Sequence, residues 1–280
     1  MDVSGTVITY NPDLKLLKDN LSAAIPQVSR MLVYDNGSGN VAEIRDLISA
    51  LPSVDLIENG ENLGLPVNYN KAAREIGGGW LLILDQDTVL PEGYVEAAGA
   101  FFEQEEVSII CCPYWDSGAE SLEAFRARLP SGEVSEIDFC ISSGSICRVR
   151  DIFRLGGFDE RMFIDLVDYD YCRTVVEHGL KILQMNRYYI RHSLGVPKQV
   201  RLLSGKRAVT GNHSAFRKYY IARNAVYYVR KHKLRYKENR VFYKRHMKML
   251  FLYPLYEEHK WSKCRAILKG IFDGLRMKID

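Results

Sequence analysis

The sequence predicts an α/β fold, with a mostly parallel central sheet, helices on both of its faces, and a helical C-terminal extension. Three observations carry this. Apolar runs of strand length alternate with helical patterns through the first half of the chain, and such alternation builds parallel strands joined by covering helices. Polar clusters follow the strand-like runs, and in sheets of this kind ligands bind beyond the strands' carboxyl ends. Finally, residues 211–280 carry 18 Lys+Arg against 5 Asp+Glu, a balance of +13, whereas residues 1–210 carry 20 against 30, a balance of −10. Surface character therefore changes between a 1–210 domain and a 211–280 subdomain.

Taken in order, "GTVITY" reads as a strand and "PDLKLLKDNLSAAI" as a helix with Pro12 at its start. "RMLVYD", "VDLIE" and "WLLILD" continue as strands; "VAEIRDLISAL" and "PVNYNKAAREIG", with Pro66 near its start, are the helices between them. Beyond residue 105, "VSIICCPYW" and "EIDFCISSGSICRV" read as strands and "RDIFRLGG" as a short helix closed by glycine. "VDYDYCRTVVEHG" reads as a helix ending at Gly179, "LKILQMNRYYIRH" as a returning strand, and aromatic and basic helices follow from about residue 214.

A chain of 280 residues with 47% hydrophobic composition has material for a substantial core. No run approaches the roughly 18 apolar residues of a membrane-spanning helix. The first residues enter a strand pattern without a signal peptide's basic and apolar regions, so a cytosolic location is expected. Cys111, Cys112, Cys140, Cys147, Cys172 and Cys264 form no CxxC and are expected to be reduced core residues. Neither GxGxxG after the first strand nor GxxxxGK[ST] is present, which leaves a dinucleotide fold or a P-loop unsupported.

"TYN", "DNGSGN", "ENGENLG" and "DQD" follow the first four strands and outline one site. Two carboxylates at i and i+2 reach one small region if the chain turns there, and such oxygens suit Mg²⁺ or Mn²⁺ bound together with substrate phosphates. A solvated strand exit gives the same DxD.

Taken together, "VITYNP", "VYDNGS", "NLG", "LLILDQDT", "GGFDERMFIDLVDYDYCRTVVEHG" and "RKYYIARN" resemble, in order and spacing, the family 2 glycosyltransferases with the GT-A fold, and within them the rhamnosyltransferase-like group. The resemblance spans about residues 3–230. It implies a nucleotide-sugar donor, dTDP- or UDP-linked, lying across the first strand ends, with Mg²⁺ or Mn²⁺ bridging its diphosphate to the DxD. Thr9, Tyr10, Asn11 and Asp35 are then expected at the nucleotide, Asp35 near the base, with Asn62 and Gly64 shaping the loop beside it. Asp85 faces the ribose or the metal, and Asp87 is the direct ligand. His192 matches a position that completes the metal site in some members; the end of an aromatic strand is equally a place for a structural histidine.

The resemblance also assigns the base. An inverting transfer needs one carboxylate to deprotonate the acceptor hydroxyl, and no acid is needed for a leaving group that is already activated. The family motif has Glu-Asp where this chain has Val167-Asp168, so the matching base, Asp168, is retained and its neighbour is lost. If the segment is helical, Asp165 and Asp168 share a face, whereas Asp168 and Asp170 point about 200° apart. Asp170 then reads as a helix-start charge. Arg217 and Arg223 either reach the diphosphate or an acceptor phosphate, or lie on a solvated helix face.

The expected activity is a metal-dependent, inverting transfer of a sugar, best matched by L-rhamnose from dTDP-rhamnose, to a surface polysaccharide or lipid-linked glycan. The alternatives are a UDP-hexose or UDP-galactofuranose donor, an inactive sugar-nucleotide-binding scaffold, and a peripheral membrane adaptor. The basic tail, with "MLFLYPLY", is expected at an anionic membrane's inner face across residues 214–256. No nucleic-acid motif accompanies its charge.

Overall fold

The computed structural model describes residues 2–118, 120–191, 198–201, 205 and 207–279. It divides into two compact units: Met1–Phe163 with Val167–His192, and Ser193–Asp280 with the tripeptide Ile164–Leu166. The structural division lies at 192/193, that of the charge pattern at 210/211.

The first unit opens with β1 (Val3–Thr9), α1 (Leu14–Ala24), β2 (Arg30–Asp35), α2 (Val41–Ser49), β3 (Val54–Glu58), α3 (Leu65–Ile76) and β4 (Trp80–Asp85). Every residue of β1 is buried, as expected of a central strand covered on both faces. Asp13, just after Pro12, caps α1 by accepting hydrogen bonds from Lys15 N at 2.9 Å and Leu16 N at 3.1 Å. α3 carries Pro66 in its first turn and stops at Gly77, whose φ of 70° is the left-handed conformation of a helix end.

There follow α4 (Tyr94–Ala98), β5 (Val107–Cys111), β6 (Tyr114–Trp115), α5 (Leu122–Ala127), β7 (Val134–Ile137), β8 (Ser145–Arg148), α6 (Val149–Arg154), α7 (Val167–Glu177), β9 (Lys181–Met185) and β10 (Ile190–Arg191). The main sheet runs β3-β2-β1-β4-β8-β5-β9-β7. β8 lies antiparallel to both neighbours and β7 antiparallel to β9; the remaining pairs are parallel. β6 and β10 pair separately.

Three expected strands are each two pieces. "VSIICCPYW" breaks at Cys112–Pro113, where proline has no donor for the ladder. "EIDFCISSGSICRV" breaks over residues 138–144, ending in Gly144 at φ 80°. "LKILQMNRYYIRH" turns between Met185 and Ile190. In the register, Thr9 lies opposite Asp35 and Ile8 opposite Asp85, so β1, β2 and β4 end level with one another. Five cysteines are buried and Cys264 is half-buried; burial pushes the Cys112 and Cys147 thiols up to about 12.

The second unit contains an antiparallel ribbon of β11 (Lys198–Arg201) and β12 (Arg207–Thr210), then α8 (Ala215–Lys231), α9 (Arg240–Met247) and α10 (Lys260–Arg276). α8 and α10 pack along glycines: a Cβ at Gly270 would lie 2.4 Å from the Tyr219 carbonyl oxygen, and one at Gly274 2.4 Å from that of Arg223. Ile221, Ala222, Leu250 and Ile267 form a small buried cluster. Beside it the buried Glu257 carboxylate receives Lys218 Nζ at 3.3 Å and Lys263 Nζ at 3.0 Å, both lysines being buried as well.

Candidate active site

The level ends of β1 and β2 are tied together through Asp35. Its carboxylate is 1% exposed. It accepts from Thr9 Oγ1 (3.0 Å) and Ser38 Oγ (2.5 Å) on one oxygen, and from Gly37 N (3.0 Å) and Ser38 N (2.9 Å) on the other. A buried anion needs such a set of donors, and both oxygens are thereby committed to shaping the loop. Asn11, at φ 47°, adds a second tie: its N–H donates to Ser38 Oγ at 2.8 Å and its Oδ1 accepts from Gly39 N at 2.7 Å. Tyr10 between them leaves its ring 51% exposed while its N–H donates to Gln86 Oε1 at 2.9 Å. The first loop is thus anchored to the DxD turn.

The loop after β3 is built on amides. Asn36 Oδ1 accepts from Asn59 Nδ2 (3.1 Å) and Asn68 Nδ2 (2.9 Å), and Asn62 Oδ1 accepts from Gly64 N at 3.0 Å. Gly64 has φ 80°, and a Cβ there would lie 2.5 Å from the Phe163 carbonyl oxygen. That oxygen accepts from Leu65 N at 2.7 Å. Both the backbone conformation and the close approach require glycine, and the contact brings the end of the "GGFDERMF" segment against the start of α3.

The DxD turn is braced from inside. Asn20 Nδ2 donates to the Asp85 carbonyl at 2.9 Å and to that of Thr88 at 2.5 Å; Asp85 N donates to Ser143 Oγ at 2.9 Å, which donates onward to Thr88 Oγ1 at 2.8 Å. Asp85 is half-buried and Asp87 exposed. Among the described residues no group of three or more His, Cys, Asp or Glu is gathered as for a preformed metal cage, and His192 lies outside the described residues. Two carboxylates on a braced turn do fit Mg²⁺ or Mn²⁺, which take one or two carboxylates and draw other ligands from phosphate and water.

The second acidic cluster departs from the sequence expectation. α7 begins at Val167, and Phe163, Asp165 and Leu166 have φ of 64°, 63° and 65°. Asp165 therefore precedes the helix and shares no helical face with Asp168. Its carboxylate is instead held by Arg217, with Nε–Oδ1 at 3.1 Å and Nη2–Oδ1 at 3.0 Å. Burial raises the Asp165 pKa, against the lowering effect of the guanidinium beside it. Asn224 Nδ2 donates to the carbonyls of Ile164 (2.7 Å) and Asp165 (2.8 Å). Arg223 lies over the Tyr220 ring at 4.5 Å and donates to Asn224 Oδ1 at 3.0 Å. Within the second unit, then, "RKYYIARN" clamps the tripeptide 164–166.

Asp168, half-buried in the first turn of α7, accepts from Tyr169 N at 2.9 Å through Oδ1. Asp170, in the same turn, is buried. The fully buried Tyr69 of α3 joins the two acidic regions: burial is the main cause that raises its phenol's pKa, the charges of Asp85 and Asp168 add to this, and a hydrogen bond with Ser142 opposes it. Asp168 also lines a cleft with Ser142, Ser145, Cys140, Tyr171 and Cys172. The end of β4, the start of α7 and the serine-rich loop before β8 thus converge. Tyr69, Ser142 and Ser143 were not singled out in the sequence, where the polar run "SSGS" was the available signal.

Known proteins share this fold. The profile of glycosyl transferase family 2 matches residues 5–161, more than half of the chain. The dTDP-rhamnosyl transferase RfbF of Shigella flexneri is 24% identical over 249 residues, covering 82% of this chain and 80% of RfbF. The chain also aligns with 35% of the length of a pre-mycofactocin glycosyltransferase of Mycobacterium tuberculosis, at 22% identity over 55% of this chain. Among solved structures, S. aureus TarS residues 1-349 with UDP-GlcNAc superpose with a TM-score of 0.64 at 14% identity, covering 99% of this chain and 81% of that one. The mannosyltransferase PcManGT of Pyrobaculum calidifontis, in complex with GDP-Man and Mn²⁺, gives 0.60 at 15% identity, covering 99% and 76%. With the family profile over more than half of the chain and the likeness to solved glycosyltransferases in agreement, the chain is a GT-A-fold member of glycosyl transferase family 2.

Proposed function

We propose that this glycosyltransferase moves L-rhamnose from dTDP-rhamnose to a hydroxyl of a surface or lipid-linked glycan, with inversion at the anomeric carbon. The likeness to RfbF over most of both chains supports the donor. The observation that carries the reaction type is the braced turn after β4, whose Asp85 stands level with the ends of β1 and β2 in a chain that the family 2 profile matches over residues 5–161. The nucleotide lies over the loops held by Asp35 and Asn11, with the exposed Tyr10 ring available to its base. Asp85 and Asp87 hold Mg²⁺ or Mn²⁺. When bound there, the ion neutralises the diphosphate's charge.

The Asp168 carboxylate takes the acceptor hydroxyl's proton as that oxygen bonds to the anomeric carbon from the face opposite the diphosphate. The bond from that carbon to the diphosphate oxygen breaks, and dTDP leaves with the electron pair. A lipid-carried acceptor brings the enzyme to the inner face of an anionic membrane. Arg217, paired with Asp165, takes no part in diphosphate binding on this reading.

The test is thermal stabilisation of the full chain by dTDP, UDP and GDP with and without Mn²⁺, followed by turnover of dTDP-rhamnose. Binding to the native state raises apparent stability, so dTDP is expected to raise the melting temperature more with Mn²⁺ than without. Asp87→Ala is expected to remove the Mn²⁺-dependent part. Stabilisation by UDP but not dTDP reassigns the donor to a UDP-sugar, and no response to any nucleotide sinks the transferase reading.

A further inference from the structure

α10 has two apolar sides. Ile267, Gly270 and Gly274 are buried, the two glycines against α8, whereas Trp261 (89% exposed), Leu268 (65%), Phe272 (50%) and Leu275 (57%) are open to solvent. At about 100° per residue these four fall within an arc of about 60°, turned roughly 140° from the packed side. Ile279, past the helix end, is exposed as well. Along one edge of the stripe run Arg265, Lys269 and Arg276, all exposed, with the Arg276 guanidinium 3.8 Å over the Phe272 ring. Lys260 is exposed at the helix start. The helix holds a single carboxylate, Asp273, which accepts from the Tyr219 hydroxyl at 2.8 Å.

We propose that α10 lies in the interface of an anionic lipid bilayer, its Trp261–Leu275 stripe among the upper acyl chains and its flanking cations among the phosphate headgroups. An exposed apolar stripe edged by lysine and arginine has the make-up of a helix that lies in a membrane surface. No helix among the described residues is long and apolar enough to cross a membrane, so the contact is a lateral one. A second copy of the chain is the poorer occupant: facing stripes bring Arg265, Lys269 and Arg276 against their own like, with no carboxylate to meet them. The lipid contact adds α10 to the residues 214–256 expected at lipid. In the earlier stretch Ile221, Tyr227, Tyr228 and Leu250 are buried, while Val241, Met247 and Leu255 are exposed and leave that stretch open to lipid as well.

The inference draws its purpose from the proposed lipid-carried acceptor, but binding is measured without donor or acceptor and so fails separately from the transfer reading. The full chain is sedimented with vesicles of phosphatidylcholine alone and of equal parts phosphatidylcholine and phosphatidylglycerol. Binding is expected to the second, weakened by salt. Trp261→Gln with Leu268→Gln, or Arg265→Gln with Lys269→Gln, is expected to lower partitioning at least about tenfold while nucleotide-induced thermal stabilisation is unchanged. A blue shift of tryptophan emission on binding is expected to vanish in Trp261→Phe. Equal binding to both vesicles, or undiminished binding of the Trp261/Leu268 variant, overturns the proposal. So does a dimer that those substitutions dissociate and that ignores vesicles, which makes the stripe a contact between copies.

Discussion

Among the described residues, one buried apolar cluster of the first unit gathers 23 side chains from its strands, helices and loops, whereas one in the second unit, about half as long, gathers four. Around that small cluster the second unit buries ion pairs: Glu257 between Lys218 and Lys263, and Asp165 against Arg217. In the first unit Asp85 and Asp168 sit at the rim of an apolar sheet that stands without them. A unit with a large apolar core tolerates changes of charge at its edge, whereas one resting on buried ion pairs loses stability when a single partner is removed. Charge at the first unit's rim, as at Asp85 and Asp168, is thus available for chemistry, while the buried Asp35 shapes a loop; in the second unit the buried charges hold the fold.

The largest effect that tests this contrast is on rate. Asp168→Asn keeps size but removes the basic carboxylate, and is expected to slow transfer roughly 10²- to 10⁴-fold. The chemical denaturation midpoint and nucleotide affinity are expected to stay near those of the parent. A variant that unfolds instead breaks the contrast from the first unit's side.

Glu257→Gln should behave in the reverse way. It leaves Lys218 and Lys263 buried without their anion, a change expected to cost about 3–5 kcal/mol. Hydrogen exchange is the measurement: amides of α8 and α10 should lose protection while those of β1, β4 and β5 keep theirs. Equal loss in both units would show one cooperative fold and end the comparison.

The smallest effect is on pH. Burial, the leading cause in each case, holds His213 and His246 down at about 4 from an ordinary 6.5. A depressed histidine leaves the folded state with fewer protons than the unfolded one, so stability is complete above about 6.5 and is lost as pH falls towards 4. For the buried His246 a displacement of this size corresponds to about 3 kcal/mol at the acid end. Asp165, displaced upward, works in the opposite sense by favouring the fold at low pH, and its pairing with Arg217 limits that gain. Amide protection of α8 is therefore expected to fall between pH 7 and pH 4, with a shallower slope in His246→Asn, while β1 changes little. A flat profile in α8 removes the histidines from the account.

Much of the proposed donor edge, as a cluster of strand ends, was legible because strand-length apolar runs and their polar endings are local signals. The level ends of β1, β2 and β4 turn "TYN", "DNG" and "DQD" into neighbours. Other parts were hidden for physical reasons. Tyr69 reads as a core aromatic of an amphipathic helix, and only the fold brings its phenol to Ser142 and within the influence of the two carboxylates' charges. Asp165 has no glycine beside it to announce a left-handed backbone, so the expected face shared with Asp168 rested on extending the helix back past its start at Val167. The partners that hold it, Arg217 and Asn224, lie more than fifty residues away. The splits in three expected strands came from Pro113, Gly144 and the turn after Met185, each of which interrupts a ladder that hydrophobicity alone would continue.

The tripeptide 164–166 has a consequence for recombination. It belongs by packing to the second unit, although it is encoded in the middle of the first, so the two units cannot be exchanged by cutting the gene at one point. A chimera that takes everything after residue 192 from a relative joins a foreign tail to this chain's Asp165. It keeps the clamp only if the donor tail supplies a guanidinium and a carboxamide in the places of Arg217 and Asn224. The workable unit of exchange is discontinuous: the tail together with three residues from the middle of the other parent.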